Sequence, residues 1–234
     1  PQFRSSNFPS PRNLYNQGGL ELVLETEAEK CELLTSLGIN VNLGPVCDIS
    51  TQPGAILYQR SLGQSPEITS NFIAQTVQVM AEHHVGSVLK HFPGYGNNAD
   101  THVQIAYDDR SLESLESCDL IPFRAGMDAG ADAIMVAHTI VREIDPDTPA
   151  SLSPAVHQYL RQEMGYDGVI TTDDLVMDAI RVDYGIGEAA VLAVLAGNDL
   201  LCCTEYAVQY QAVLDAVESE RIPMEMLDTA VMRV

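Results

Sequence analysis

The sequence predicts an α/β fold of the TIM-type (β/α)8 barrel class, formed by one domain over residues 1–234. Short β-branched runs alternate with longer helical patterns, which favours a parallel sheet with crossover helices. The runs are short, continuous and β-branched, as expected for strands covered on both faces. Ionisable residues follow the runs directly, as at the functional edge of a parallel barrel.

The order of the elements supports this fold class. The β-type runs occupy residues 38–46, 86–92, 133–137, 168–172 and 199–203. Helical patterns lie at residues 20–37, 65–84, 115–129, 153–164, 187–196 and 206–218. Since a closed barrel of this class needs eight strands, we expect a barrel that lacks its first strand in this chain.

Composition excludes several classes of function. The chain has 33 Asp and Glu against 12 Lys and Arg, a net charge of −21, so it would repel a nucleic acid. No window approaches the roughly 18 apolar residues of a membrane span. With 46% hydrophobic residues, the 234-residue chain can bury one sizeable core. We expect neither a cofactor nor a metal, and the oligomeric state is not predicted.

Ionisable side chains stand at the carboxyl ends of four runs. They are Asp48, Lys90 with His91, His138, and Asp173 with Asp174. In a parallel barrel, side chains from the ends of different strands converge on one face. A single such residue could equally be a solvated loop charge, but their coincidence predicts a functional site at this edge.

A glycine-rich segment after the second run carries an Asp-x-His pair. Gly94 and Gly96 predict a mobile loop that could close over a ligand. Asp100 can accept the Nδ1–H of His102, which fixes the tautomer and raises the basicity of the ring. His102 is therefore a candidate general acid/base with Asp100 orienting it. The alternative is a surface turn with an idle histidine.

The fourth run ends in two adjacent carboxylates. A carboxylate at the end of a buried strand is held rigidly, which suits a nucleophile. Neighbouring side chains in extended backbone point in opposite directions, so only one of Asp173 and Asp174 can face the barrel axis. We expect the other to cap the next helix, and the alternative is that both are caps or loop charges.

Four segments make a family resemblance recognisable. They are RSLG at 60–63, KHFPGYGNNADTH at 90–102, PASLS at 149–153 and GYDGVITTDDLVMDA at 165–179. In this order they resemble the barrel domain of glycoside hydrolase family 3, in particular its single-barrel bacterial β-N-acetylglucosaminidases (β-hexosaminidases). The resemblance runs from about Phe8 to the end of the chain. It departs at Tyr95, where histidine is usual, and at residues 97–98, where Asp-Thr is common.

The resemblance implies a retaining glycosidase that removes terminal β-linked N-acetylglucosamine from cell-wall fragments or chitooligosaccharides. It implies a covalent glycosyl-enzyme on Asp173 and an acid/base dyad of His102 and Asp100. The residues matched to sugar binding are Asp48, Arg60, Lys90, His91 and His138. The expected partner is therefore a carbohydrate. The sequence of the loop at 90–102 resembles exported relatives, and together with the acidic composition it favours an exported or envelope-associated bacterial protein over a cytoplasmic one.

Other functions fit some of the same residues. Lys90 at a strand end could form the Schiff base of a lyase. A barrel that binds amino sugars without turnover is a second alternative, although such a protein would need neither a nucleophile nor an acid. A metal hydrolase built from His91, His102, His138 and Asp173 is disfavoured, because these residues lack paired metal-ligand spacing and Lys90 would repel a cation.

Overall fold

The computed structural model describes residues 6–98, 101 and 105–234. Its strands are, in chain order, β1 (Val41–Asn42), β2 (Gly86–Phe92), β3 (Tyr107–Asp108), β4 (Ala133–Val136), β5 (Ile140–Val141) and β6 (Val169–Thr172). Strands β1, β2, β4 and β6 form one sheet in that order, and every neighbouring pair is parallel. Strands β3 and β5 form a separate parallel pair.

Two isolated bridges add to the main sheet, one that continues the pairing of β1 with β2 and one beyond β6. Val46 pairs with Lys90, and Leu200 pairs with Thr171. The predicted strand at 199–203 is thus reduced to a bridge at Leu200. The physical reason is that side chains replace the ladder on both sides of Leu200: the Asp199 carboxylate accepts from Ile170 N at 2.8 Å, and Cys202 N donates to the Thr172 hydroxyl at 2.9 Å.

Helices connect the strands and cover the sheet. They are α1 (Pro11–Ser36), α2 (Pro66–Glu82), α3 (Leu112–Glu116), α4 (Leu120–Asp128), α5 (Pro154–Gln158), α6 (Asp178–Tyr184), α7 (Ile186–Ala196), α8 (Tyr206–Glu218) and α9 (Met224–Arg233). A π-helical turn, Tyr159–Glu163, continues α5. None of the helices in the described ranges is both long and apolar enough to cross a bilayer.

Two helices differ from their predicted bounds. Helix α1 begins at Pro11, where Ser10 accepts a hydrogen bond from Asn13 N, and it is kinked at Gly18 and Gly19. The predicted start at residue 20 therefore coincides with the end of the kink. The single helix predicted at 115–129 is two helices, α3 and α4.

The core lies between the main sheet and its helices. Phe92 at the end of β2 meets Phe123 of α4 edge to face, with ring centroids 5.3 Å apart. Gly126 allows this helix to approach the sheet, because a Cβ there would lie 2.6 Å from the Leu89 side chain. Close packing of this kind fixes the strands, so the residues that follow their carboxyl ends are placed on a rigid frame.

Candidate active site

Asp48 follows the bridge at Val46 and is the central acceptor of the site. One carboxylate oxygen accepts hydrogen bonds from His91 N at 3.0 Å and from the His91 ring Nδ1 at 2.8 Å. The other accepts from Tyr95 N at 2.6 Å. The side chain is buried, so these three bonds compensate for the loss of hydration. Asp48 therefore holds the turn at residues 91–95 and orients the His91 ring.

The second ring nitrogen of His91 contacts Arg60, whose Nη2 lies 3.4 Å from His91 Nε2. The Asp48 carboxylate can only accept, so Nδ1 carries a proton, and the Arg60 guanidinium approaches the other side of the ring. Arg60 is largely exposed at the end of the loop 50–61. The predicted residues Asp48, Arg60 and His91 thus form one connected group.

Lys90 joins this group electrostatically. Burial lowers the pKa of Lys90, and the positive charge of Arg60 lowers it further, whereas Asp173 and Asp48 oppose both effects. Lys90 and Arg60 also line a common cavity of about 360 Å³. Lys90 therefore interacts electrostatically with both the cationic and the anionic members of the group.

Asp173 follows β6 and is half-buried. Burial alone would raise the pKa of this carboxyl group, but His91, His138 and Lys90 and the hydrogen bond from Asp174 N outweigh it, so the pKa is lowered. That hydrogen bond measures 2.9 Å. The side chain is consequently a carboxylate at neutral pH, the form that a nucleophile needs.

Asp174 serves a different purpose. Its carboxylate accepts hydrogen bonds from Val176 N at 3.2 Å and from Thr204 N at 3.3 Å, and a further bond from the Thr204 hydroxyl. It does not cap the next helix, because α6 begins later, at Asp178. Asp174 instead fixes the turn after β6 to the segment at residue 204.

His138 follows β4 and is completely buried. Its Nε2 donates to the backbone carbonyl of Asp174 at 3.0 Å, and its Nδ1 lies 2.7 Å from the Ser151 hydroxyl. A carbonyl only accepts, so Nε2 carries a proton, and Nδ1 shares the second hydrogen bond with the Ser151 hydroxyl. This explains the segment 149–153, whose Ser151 supports His138. The ring holds the backbone beside Asp173, and a direct contact of His138 with a sugar stays a prediction.

The predicted dyad of Asp100 and His102 lies outside the described residues. Thr101, between them, is described and buried. On the far side of this segment, Ile140 N donates to Ala106 O at 2.9 Å through the β3–β5 pair. The chain that follows the dyad is thereby attached to the chain that follows His138.

A buried charge cluster escaped the sequence analysis. Arg110 donates to Asp108, to Asp119 at 2.6 Å and to the carbonyl of Gly94 at 3.1 Å. Burial raises the pKa of Asp119 to about 6, Asp48 and Asp108 add to the rise, and Arg110 opposes it. The cluster braces the turn at Gly94, whose φ of +121° and close approach to Asp119 require glycine. Spacing gives no signal for it, because the residues meet only through the fold.

Cys202 is a second side chain that the prediction missed. Its thiol interacts electrostatically with Lys90 and with Asp173 and Asp174. Burial, followed by these two carboxylates, raises the pKa of the thiol. Cys202 stands at the carboxyl end of the fifth run, so the strand-end rule that found the other residues could have found it. Within the described ranges, no three His, Cys, Asp or Glu side chains are grouped as a metal site.

Comparison with known proteins identifies the family. The model of the glycosyl hydrolase family 3 N terminal domain matches residues 2–234. The chain belongs to glycosyl hydrolase family 3. This confirms the resemblance found in the sequence.

Family 3 relatives of known name share much of the sequence. A beta-hexosaminidase of Xylella fastidiosa strain M12 is 35% identical over 204 residues, which cover 87% of this chain and 59% of the relative. A beta-hexosaminidase of Stenotrophomonas maltophilia strain K279a is 38% identical over 166 residues, or 70% of this chain and 49% of the relative. The chain therefore spans less than two thirds of the length of these relatives.

Solved structures of the family share the fold. A family 3 beta-N-acetylglucosaminidase from Paenibacillus sp. FPU-7 matches 97% of this chain and 45% of its own with a TM-score of 0.92 and 38% identity. A beta-N-acetylhexosaminidase from Beutenbergia cavernae matches 100% of this chain and 72% of its own with a TM-score of 0.88 and 28% identity. The predicted barrel class is thereby confirmed, although hydrogen bonds among the described strands form an open sheet.

Proposed function

We propose that this family 3 protein is a retaining glycoside hydrolase that releases terminal β-linked N-acetylglucosamine from cell-wall fragments or chitooligosaccharides. The observation that carries the proposal is the Asp173 carboxyl group directly after β6, whose pKa is lowered by His91, His138 and Lys90 from the ends of other strands. The names of the relatives, beta-hexosaminidase and beta-N-acetylglucosaminidase, support the class of substrate.

In the proposed reaction, a carboxylate oxygen of Asp173 attacks the anomeric carbon of the sugar. The bond to the leaving oxygen breaks, and His102 donates a proton to that oxygen. In the second step His102 takes a proton from water, whose oxygen displaces Asp173 and restores the carboxylate. Two inversions give a product with the original β configuration. Asp100 accepts the Nδ1–H of His102 throughout and so keeps its other nitrogen available for the proton transfers.

Hydroxyl groups of the sugar require convergent donors and acceptors. Arg60 and Lys90 supply donors. The Asp48 carboxylate has lone pairs beyond those used by the turn at 91–95, and it can accept from a hydroxyl. His91 lies between Arg60 and Asp48 and completes the group. His138 acts through Asp174, whose carbonyl it binds, by fixing the backbone next to the nucleophile.

The test uses the purified full-length protein and 4-nitrophenyl N-acetyl-β-glucosaminide. We expect release of nitrophenol, β-configured sugar as the first product, and covalent labelling of Asp173 by a 5-fluoro glycosyl donor. Asp173→Asn should lower the turnover number by a factor on the order of 10⁴. Asp174→Asn is the matched control, since Asp174 bonds to Val176 and Thr204 and should affect mainly stability.

Three results would contradict the proposal in distinguishable ways. Label on Asp174 or on a glutamate would reassign the nucleophile. Tight binding of the sugar without turnover would indicate the non-catalytic barrel. Reduction by borohydride that leaves a carbonyl substrate attached to Lys90 would indicate a Schiff-base lyase, for which the lowered pKa of Lys90 is suited.

A further inference from the structure

We propose that Tyr95 is a positioning residue for the acid/base step, because it holds the residue between Asp100 and His102. The inference rests on the proposed function and concerns a position where the sequence departs from the histidine usual in the family. No other tyrosine in the described ranges is hydrogen-bonded to that residue.

The phenol of Tyr95 makes two hydrogen bonds to Thr101. Its hydroxyl donates to Thr101 Oγ1 at 2.8 Å and accepts from Thr101 N at 2.6 Å. A phenol has one proton to donate and lone pairs to accept with, so both bonds form together. The carbonyl of Thr101 accepts from Ala179 N at 3.3 Å. Thr101 is buried and is therefore fixed from two sides.

Tyr95 is itself fixed to the substrate-binding group. Its backbone N–H donates to Asp48, and its ring and the His91 ring pack edge to face with centroids 6.0 Å apart. Its side chain packs in a buried cluster with Leu57 and Ala137. A single rigid connection thus runs from Asp48 through Tyr95 to Thr101.

This connection matters for the proposed acid/base step because Asp100 and His102 are the two sequence neighbours of Thr101. General acid catalysis requires hydrogen-bond reach between the acid and the leaving oxygen, and a misplacement of about 1 Å can cost on the order of 10² in rate. Asp100 and His102 are joined covalently to Thr101, so an error in its position passes to both. Tyr95 thus connects the residue between them to the carboxylate that also orients His91.

The test compares two buried tyrosines that lose only a hydroxyl group. Tyr95 and Tyr166 are each 5% exposed. Tyr166 lies just before β6, and its hydroxyl donates to Ala131 O at 3.3 Å. Tyr95→Phe should lower the turnover number on N,N′-diacetylchitobiose by roughly 10-fold to 50-fold, and on the activated nitrophenyl glycoside by less than about 3-fold. KM should change little for either. Tyr166→Phe should show no such difference between the substrates.

Hydrogen exchange gives a readout that does not depend on activity. Removing the Tyr95 hydroxyl should accelerate exchange of the Thr101 amide by about 10-fold or more, because that N–H loses its acceptor. Unchanged exchange in Tyr95→Phe would overturn the proposed contact. Equal rate losses on both substrates, or the same discrimination in Tyr166→Phe, would overturn the positioning role. If the wild type hydrolyses no glycoside, the proposed function fails, while exchange still decides whether Tyr95 holds Thr101.

Discussion

The charge on Asp173 depends on its neighbours. Burial raises the pKa of Asp173, but the combined effect of His91, His138, Lys90 and the Asp174 amide is larger and lowers it. Because the pKa of Asp173 is lower in the folded chain than in the unfolded chain, its ionisation stabilises the fold above the unfolded pKa. This contribution is lost as the pH falls through the folded pKa. The same groups that would bind a sugar therefore keep the nucleophile ready.

Removal of the Lys90 charge should raise the pKa of Asp173. In Lys90→Met, we expect the acid limb of the kcat/KM profile to move to higher pH by about one unit, in addition to weaker binding. Arg221→Met is the control, because Arg221 is an exposed cation paired with Glu188. An acid limb that stays in place or moves to lower pH would show that Lys90 does not act on the nucleophile.

The role of His102 can be tested by comparing rates on substrates with good and poor leaving groups. Protonation matters most when the departing oxygen is a poor leaving group, so His102→Ala should slow disaccharides more than nitrophenyl glycosides by a factor on the order of 10². Asp100→Ala should show the same trend more weakly, since Asp100 acts through the imidazole. Steady-state rates on both substrates measure this. Equal losses would assign His102 to binding or folding.

At the scale of the elements, the sequence located strands better than their connections. The continuous apolar runs predicted β2, β4 and β6 nearly to their bounds. The pattern could not reveal that Ile170 N donates to the Asp199 side chain and Cys202 N to the Thr172 hydroxyl, which together reduce the last predicted strand to a bridge. Strand ends also predicted where Asp48 and His138 lie, but their hydrogen bonds to distant segments depend on tertiary structure. The residues of the cluster around Arg110 show no recognisable spacing in the sequence.

The first turn of α1 supports the loop at 50–61. Arg12 donates to the carbonyls of Tyr58 and Ser50, each at 2.7 Å, and to Ser61 Oγ at 3.1 Å. It also stacks on the Tyr58 ring at 3.9 Å. The loop carries Arg60, which contacts His91. Helix α1 therefore positions an arginine of the proposed sugar site from outside it.

Loss of this support should weaken substrate binding. Arg12→Met removes three charge-assisted hydrogen bonds, so we expect the free energy of unfolding to fall by about 2–4 kcal/mol and KM to rise by roughly 5-fold to 10-fold. Arg12→Lys should be intermediate, because an ammonium lacks the planar fork of the guanidinium. Arg181→Met, which breaks an exposed pair with Asp178, is the control. An unchanged KM in Arg12→Met would show that α1 does not contribute to substrate binding.

Over the whole molecule, the amino-terminal end of the sheet carries contacts that stabilise the fold, and the carboxyl-terminal end carries the proposed site. At the amino-terminal end, buried Asp199 accepts from Arg161 at 2.5 Å and from Arg233 at 3.0 Å, which attaches α9 and the π-helical turn to the strands. Removing this carboxylate would leave two guanidinium groups without their partner. The carboxyl-terminal end carries the ionisable residues of the proposed site.

The net charge of −21 should make the fold sensitive to salt. Self-repulsion among surface carboxylates destabilises the compact state, and salt screens it over about 10 Å at 0.1 M. We expect Tm to rise by about 5 °C between roughly 10 mM and 300 mM NaCl, measured by calorimetry at neutral pH. The same osmolality of a neutral sugar alcohol is the control. A fall of Tm with salt would mean that the internal ion pairs outweigh the repulsion.

The two hydrogen bonds of the Tyr95 side chain join it to Thr101, six positions further along the chain. An insertion or deletion between these residues would move the acceptor away from its donor even if every catalytic residue were retained. A loop transplanted from a relative with histidine at this position would arrive without the residue that fits Thr101. Exchange of this loop among family members should therefore succeed only when positions 95 and 101 travel together and the spacing is kept.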